Sequence, residues 1–135
     1  MSVTTDLAAP SKGRLWTGRI LSGIAIVFLL FDAVIHLIKP APVVTAFGQL
    51  GYPISASVPI AIIEFVCIAF YIVPRTSILG AVLLTGYLGG AIAAQLRIGA
   101  PLFSTLLFPI YVAFLVWGGL YLRDPIVRTI IPIRR

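Results

Sequence analysis

Acidic residues are scarce in this chain, with four Asp and Glu among 135 residues against ten Lys and Arg. Charged residues of both signs make up only 10% of it and hydrophobic ones 60%, with a mean hydropathy of +1.11. A soluble domain cannot be covered with so little charge, so the composition is that of an integral membrane protein. Cysteine occurs once, at Cys67, which excludes an internal disulfide and any CxxC redox pair; redox work would need a cofactor. Histidine occurs once, at His36, and Met1 is the only methionine, so one chain cannot supply two axial haem ligands. No nucleophile–base pair, phosphate loop or metal spacing motif is present. Enzyme status stays open, and neither haem nor a metal is expected. A formal charge of +6 would suggest nucleic acid in a soluble protein. Here the basic residues sit at the ends of apolar segments, where they meet anionic headgroups, so the charge is read as membrane topology with no nucleic-acid partner.

What the chain does have is apolar runs. Four of them are long enough to cross a bilayer, roughly residues 16–38, 55–73, 77–96 and 101–122. The fold class is all-α: a polytopic four-transmembrane-helix bundle spanning residues 15–123. Residues 1–14 read as a disordered cytoplasmic lead-in and 124–135 as a basic amphipathic cytoplasmic tail. The first run is too long for a signal peptide, and the KPAPVV that follows it has no small-x-small cleavage site. Between the first two runs, Pro42 can begin a helix and Gly51 can end one, predicting a short extracytoplasmic interfacial helix that lids whatever lies beneath. Pro109, inside the fourth run, should kink it. With both termini inside, Lys12, Arg14, Arg19, Arg75, Arg123, Arg128, Arg134 and Arg135 are cytoplasmic and only Lys39 and Arg97 outside. This bias predicts an N-in, C-in protein of a cytoplasmic (inner) membrane.

The unusual feature is polarity within these runs. Asp32 and His36 are four residues apart, on one face of the first helix. Glu64 sits mid-way along the second, on a stripe with Ser57, Ala61, Ile68 and Tyr71. An ionisable group in hydrocarbon costs on the order of 2.5–3.5 kcal/mol even on lenient scales, so such groups turn inward and are functional by default. Counting about 1.5 Å per residue from the outer rim puts Asp32, His36, Glu64, Gln95 and Arg97 in the outer half of the membrane. Two carboxylates with a His and an Arg in reach have coupled titrations and suit proton exchange. Tyr87 joins Asp32, His36, Glu64, Gln95 and Arg97 as a candidate ligand-binding residue. The competing reading is a structural clasp, with Arg97 paired to Asp32 and His36 bonded to Glu64. A metal at Asp32, His36 and Glu64 lacks any local spacing motif. Gly86, Gly90 and Ala94 follow the small-xxx-small pattern of close helix packing.

FDAVIHL, the GYP turn, a mid-membrane Glu before YIVPRT, the block LGAVLLTGYLGGAIAAQLRIGAP and the terminal WGGLYLRDP together resemble the DoxX-like family of small bacterial membrane proteins. The resemblance runs from about Arg14 to the end of the chain. It implies a four-helix bundle of the wider DoxX group, some of whose members are named as subunits of terminal quinol oxidases or thiosulfate:quinone oxidoreductases. Distant relatives include a cargo receptor and a receptor-assembly chaperone. Family members often carry His where this chain has Gln95, and Gln hydrogen-bonds but carries no proton at neutral pH. The leading functional expectation is a redox-associated subunit that binds a quinone or similar lipophile in an outer-leaflet polar cleft. A membrane redox partner or a homo-oligomer goes with it. The alternative is a non-enzymatic binding or assembly module held by the clasp, and third comes a small-molecule or proton-coupled transporter.

Overall fold

A computed structural model describes residues 11–130. Residues 1–10 and 131–135, most of the expected lead-in and the end of the expected tail, lie outside the described residues. Six α-helices follow in order: α1 Lys12–Ile38, α2 Ala41–Leu50, α3 Ser57–Ile72, α4 Ser77–Arg97, α5 Phe108–Arg123 and α6 Pro125–Ile130. Four segments are long and apolar enough to span a membrane, namely Lys12–Ile38, Ile54–Ile72, Pro74–Arg97 and Phe103–Arg123, with α2 as a shorter helix between the first two.

Local signals explain most helix ends. α1 starts several residues before the expected Trp16, because the Ser11 hydroxyl accepts the Arg14 N–H and satisfies a donor that the first turn would otherwise leave free. It stops at Lys39, which takes the left-handed conformation (φ 52°) ahead of Pro40. α2 has Pro42 in its first turn and closes on Gly51 at φ 78°, where a side chain would be strained. The turn Pro74–Thr76 joins α3 to α4, and the hydroxyls at its end fold back: Thr76 donates to the Phe70 carbonyl (2.7 Å) and Ser77 to that of Tyr71 (2.8 Å). The fourth span departs from expectation. Leu102–Leu106 forms a π-helical turn, and the α-helix begins only at Phe108. Pro109 therefore lies in the first turn of α5, where its missing N–H costs nothing, instead of kinking a helix interior. Asp124 caps α6 by accepting the Ile126 N–H at 2.9 Å.

The long helices close a ring in which α1 packs on α3 and α5, and α4 packs on the same two. The stripe on α3 faces inward as its spacing required: Ser57, Ala61, Glu64, Ile68 and Tyr71 are all buried. At most 33% of any spanning window is buried, and the outward positions are large and apolar, such as Val27, Ile62, Ile63 and Phe114. Lipid is the solvent that such a surface fits. Close approach is made by glycines other than those expected. A Cβ on Gly18 would press on the Gly119 carbonyl, one on Gly119 on the backbone and hydroxyl of Ser22, and one on Gly80 on the backbone of Phe70 and Tyr71.

One end of the ring is pinned by a directed chain of hydrogen bonds. The Tyr71 hydroxyl donates to the Val116 carbonyl (2.7 Å), so Ser22 must donate to Tyr71 (2.8 Å), and Arg123 Nε donates to Ser22 (3.1 Å). The Arg123 guanidinium lies over the Tyr71 ring, 5.3 Å from its centroid. Each group is satisfied, and three helices are tied at one point. Tyr71→Phe is expected to lower stability by about 1 kcal/mol, because one interhelical bond is lost and Ser22 loses its acceptor. Thermal unfolding in detergent reads this; an unchanged midpoint would mean that the chain contributes nothing to holding the ring.

Candidate functional site: a polar-headed cavity

The other half of the ring lines a half-open cavity of about 620 Å³. Its walls are Phe28, Phe31 and Leu29 from α1, the small-residue face of α4, and Phe108, Pro109 and Val112 from α5. α2 closes one side with Phe47 and Leu50. Phe47 is held there by the His36 ring, edge-on at 5.7 Å, and by Tyr52 at 6.3 Å.

The polar head of the cavity is built from α1, α3 and α4. Because α1 is continuous through this region, Asp32 and His36 lie one turn apart on the same face. His36 Nδ1 lies 2.7 Å from the Asp32 backbone oxygen and 3.4 Å from Asp32 Oδ2. A carbonyl only accepts, so Nδ1 carries the hydrogen and Nε2 keeps the lone pair in the neutral ring. Ser57 fixes the end of α1 by donating to the His36 carbonyl. From α4, the Tyr87 hydroxyl reaches Glu64 Oε2 at 3.0 Å and Asp32 Oδ2 at 3.4 Å. It has one hydrogen for two carboxylates. Glu64 is fully buried, and its Oε1 has no hydrogen-bond partner among the described residues. Asp32, by contrast, keeps 43% of its side chain exposed and lines the cavity. The head is thus rich in acceptors and short of donors, with a buried carboxylate behind and an accessible one in front.

Asp32, His36, Glu64 and Tyr87 come together, and Gln95 lines the same cavity further along α4. Arg97 does not join them. Its guanidinium lies beside the Gly51 turn, where a Cβ would stand 3.4 Å from Nη2, and the residue is exposed. Neither bond of the expected clasp is formed: the described residues contain no Arg97–Asp32 pair and no His36–Glu64 hydrogen bond. Arg97 stands instead at the end of α2, a long-range placement that decides the matter.

Gly86, Gly90 and Ala94 also depart from expectation. All three line the cavity, and a Cβ on Gly86 or Gly90 would meet nothing within 4 Å. Gly86 and Gly90 thus widen the cavity and bring no neighbouring helix close. The residues that do bring helices together, Gly18, Ser22, Gly80 and Gly119, escaped the sequence reading. Gly18 and Ser22 carry the one available signal, a small-xxx-small spacing on α1.

Four apolar spans ringed about a carboxylate-headed cavity define a small multi-pass membrane protein. The chain belongs to the DoxX-like family, whose model matches residues 20–119 and so covers all four spans in whole or in large part. Comparison with curated proteins found no match, and neither did comparison with solved structures.

Proposed function

We propose that the cavity binds a lipophilic ring compound with hydrogen-bonding oxygens, a quinone and its reduced quinol. The observation that carries this reading is one space with two kinds of wall, aromatic and glycine surfaces along its length and an acceptor-rich head at one end. A volume of about 620 Å³ is in the range of drug-sized ligand sites, and mostly apolar walls with a few convergent polar groups are their usual make-up. Because the head is short of donors, the quinol is the better partner. One of its O–H groups donates to the Asp32 carboxylate, and His36 Nε2 stands ready as a second acceptor. Oxidation of the quinol releases two protons and two electrons. In this reading Asp32 and His36 accept the protons, and the electrons leave to a separate membrane redox partner. The chain is then a redox-associated subunit of a cytoplasmic membrane, with both termini inside and the cavity in the outer leaflet, as the eight-to-two distribution of basic residues supports. The missing clasp bonds weigh against a purely structural role for the polar residues.

The test is titration of a short-chain quinol into the protein in nanodiscs, wild type beside Tyr87→Phe. Loss of the phenol leaves two carboxylates facing each other without the hydrogen between them and disturbs the head that receives the ligand. Affinity is expected to fall about tenfold, equal to about 1.4 kcal/mol. Absence of saturable quinol binding in the wild type would remove the proposal.

A further inference from the structure

The polar head also holds Glu64, which quinol binding does not use, beside Asp32 and His36, which it does. Asp32, His36 and Glu64 each present a ligand atom, and these three atoms lie within 4.8 Å of one another. Glu64 is fully buried, yet Oε1 is without a partner among the described residues, and the single hydrogen of Tyr87 cannot serve both carboxylates. A buried carboxylate without a counter-charge is unstable in a low-dielectric site, so the head has room for one more positive group. Arg97 does not supply it, since it lies at the Gly51 turn. The occupant must be a proton or a cation from outside.

We propose that Asp32, His36 and Glu64 form a binding site for a divalent cation of the zinc type. Two carboxylates alone would suit a hard ion, but the imidazole shifts the preference toward the borderline metals. A bond from Nδ1 to the Asp32 carbonyl fixes the imidazole as such bonds commonly fix metal-binding histidines and leaves Nε2 its lone pair; since Nδ1 is the nitrogen 3.4 Å from Asp32 Oδ2, the ring has to turn to present Nε2 to the ion. Donors held at 2.0–2.2 Å from one ion lie about 3–4 Å apart, so the widest separation has to close by about 1–2 Å. The set supplies one nitrogen and two carboxylate oxygens from two helices, and the cavity leaves the fourth position open to water or to a ligand oxygen. The absence of a spacing motif in the sequence follows from this construction. Asp32 and His36 give an i, i+4 pair, and the third donor is 28 positions further on, in a different helix.

The site is tested with metal alone and no quinone, so its failure and that of the ligand reading are separable. Untagged protein in nanodiscs is stripped with chelator, and Zn²⁺ is titrated by calorimetry. One equivalent per chain is expected for the wild type, with affinity at least tenfold lower in Glu64→Gln and in His36→Gln and unchanged in Asp124→Asn, which lies at the far junction of α5 and α6. Co²⁺ added to the stripped wild type gives a reading that depends on no variant. Ligand-field absorption of a low-symmetry site with a nitrogen donor is expected. No Zn²⁺ uptake by the wild type, or a Co²⁺ spectrum identical to that of the aqueous ion, would overturn the proposal and leave a proton as the occupant. Zinc binding unaltered in both Glu64→Gln and His36→Gln would overturn it equally.

Discussion

Gly90→Leu should leave the fold intact and abolish ligand binding. A Cβ at this position has nothing within 4 Å, so the new side chain grows into the cavity without pressing on another helix. Replacing a glycine in the interior of α4 with a good helix former also favours the helix, by up to about 1 kcal/mol in aqueous hosts. The cavity would lose the width that admits a ring between α4 and Phe28 and Phe108. Unfolding midpoints equal to or above the wild type, with a loss of quinol affinity of at least a hundredfold, are expected in the same preparation. Had the stripe been a helix-packing surface, the same substitution would lower stability. An unstable Gly90→Leu protein would therefore restore the packing reading of Gly86, Gly90 and Ala94.

Gly80→Leu should have the opposite outcome and fail to give folded protein. Here the added Cβ would collide with the backbone of Phe70 and Tyr71, and backbone has no rotamer by which to yield. Overpacking of ordinary side chains costs about 1–3 kcal/mol, and a backbone collision sits at or beyond the top of that range. The consequence spreads, because Tyr71 also carries the hydrogen bonds to Val116 and Ser22. Separating α3 from α4 would open the Tyr71 pin as well. Gly119→Leu on the opposite side of the ring is expected to act in the same way through Ser22 and Gly18. Yield of monodisperse protein after detergent extraction measures both, and wild-type yields would show that the helix spacing is not set by these glycines.

The contrast between Gly80 and Gly90, ten residues apart on one helix, shows where sequence reading stops. The inward turn of α3 was legible because Ser57, Ala61, Glu64, Ile68 and Tyr71 repeat with the helical period, and a mid-span carboxylate has only one tolerable direction to face. Asp32 and His36 were legible for the same reason, since i, i+4 spacing fixes a shared face whatever surrounds it. Small-residue spacing carries less: it says that something comes close, not whether that is a helix or a ligand. The partner of a long, flexible cation such as Arg97 depends on where the end of α2 comes to lie, which no local pattern encodes. The apolar run continues through Pro109, so hydropathy alone makes it an interior kink. The break lies in the preceding π-helical turn, where hydropathy does not change. The chain Arg123, Ser22, Tyr71, Val116 joins residues as far as 101 positions apart and left no trace in spacing.

The central claim is that the cavity between α1, α4 and α5 holds a lipophilic ring compound at the Asp32–Tyr87–Glu64 head. Native mass spectrometry of protein extracted with its own lipids, wild type beside Glu64→Gln, tests it most directly. A quinone or quinol mass on the wild type that is lost from the variant is the expected result. A wild-type protein that carries no small molecule beyond phospholipid, with both forms equally stable, would contradict the claim.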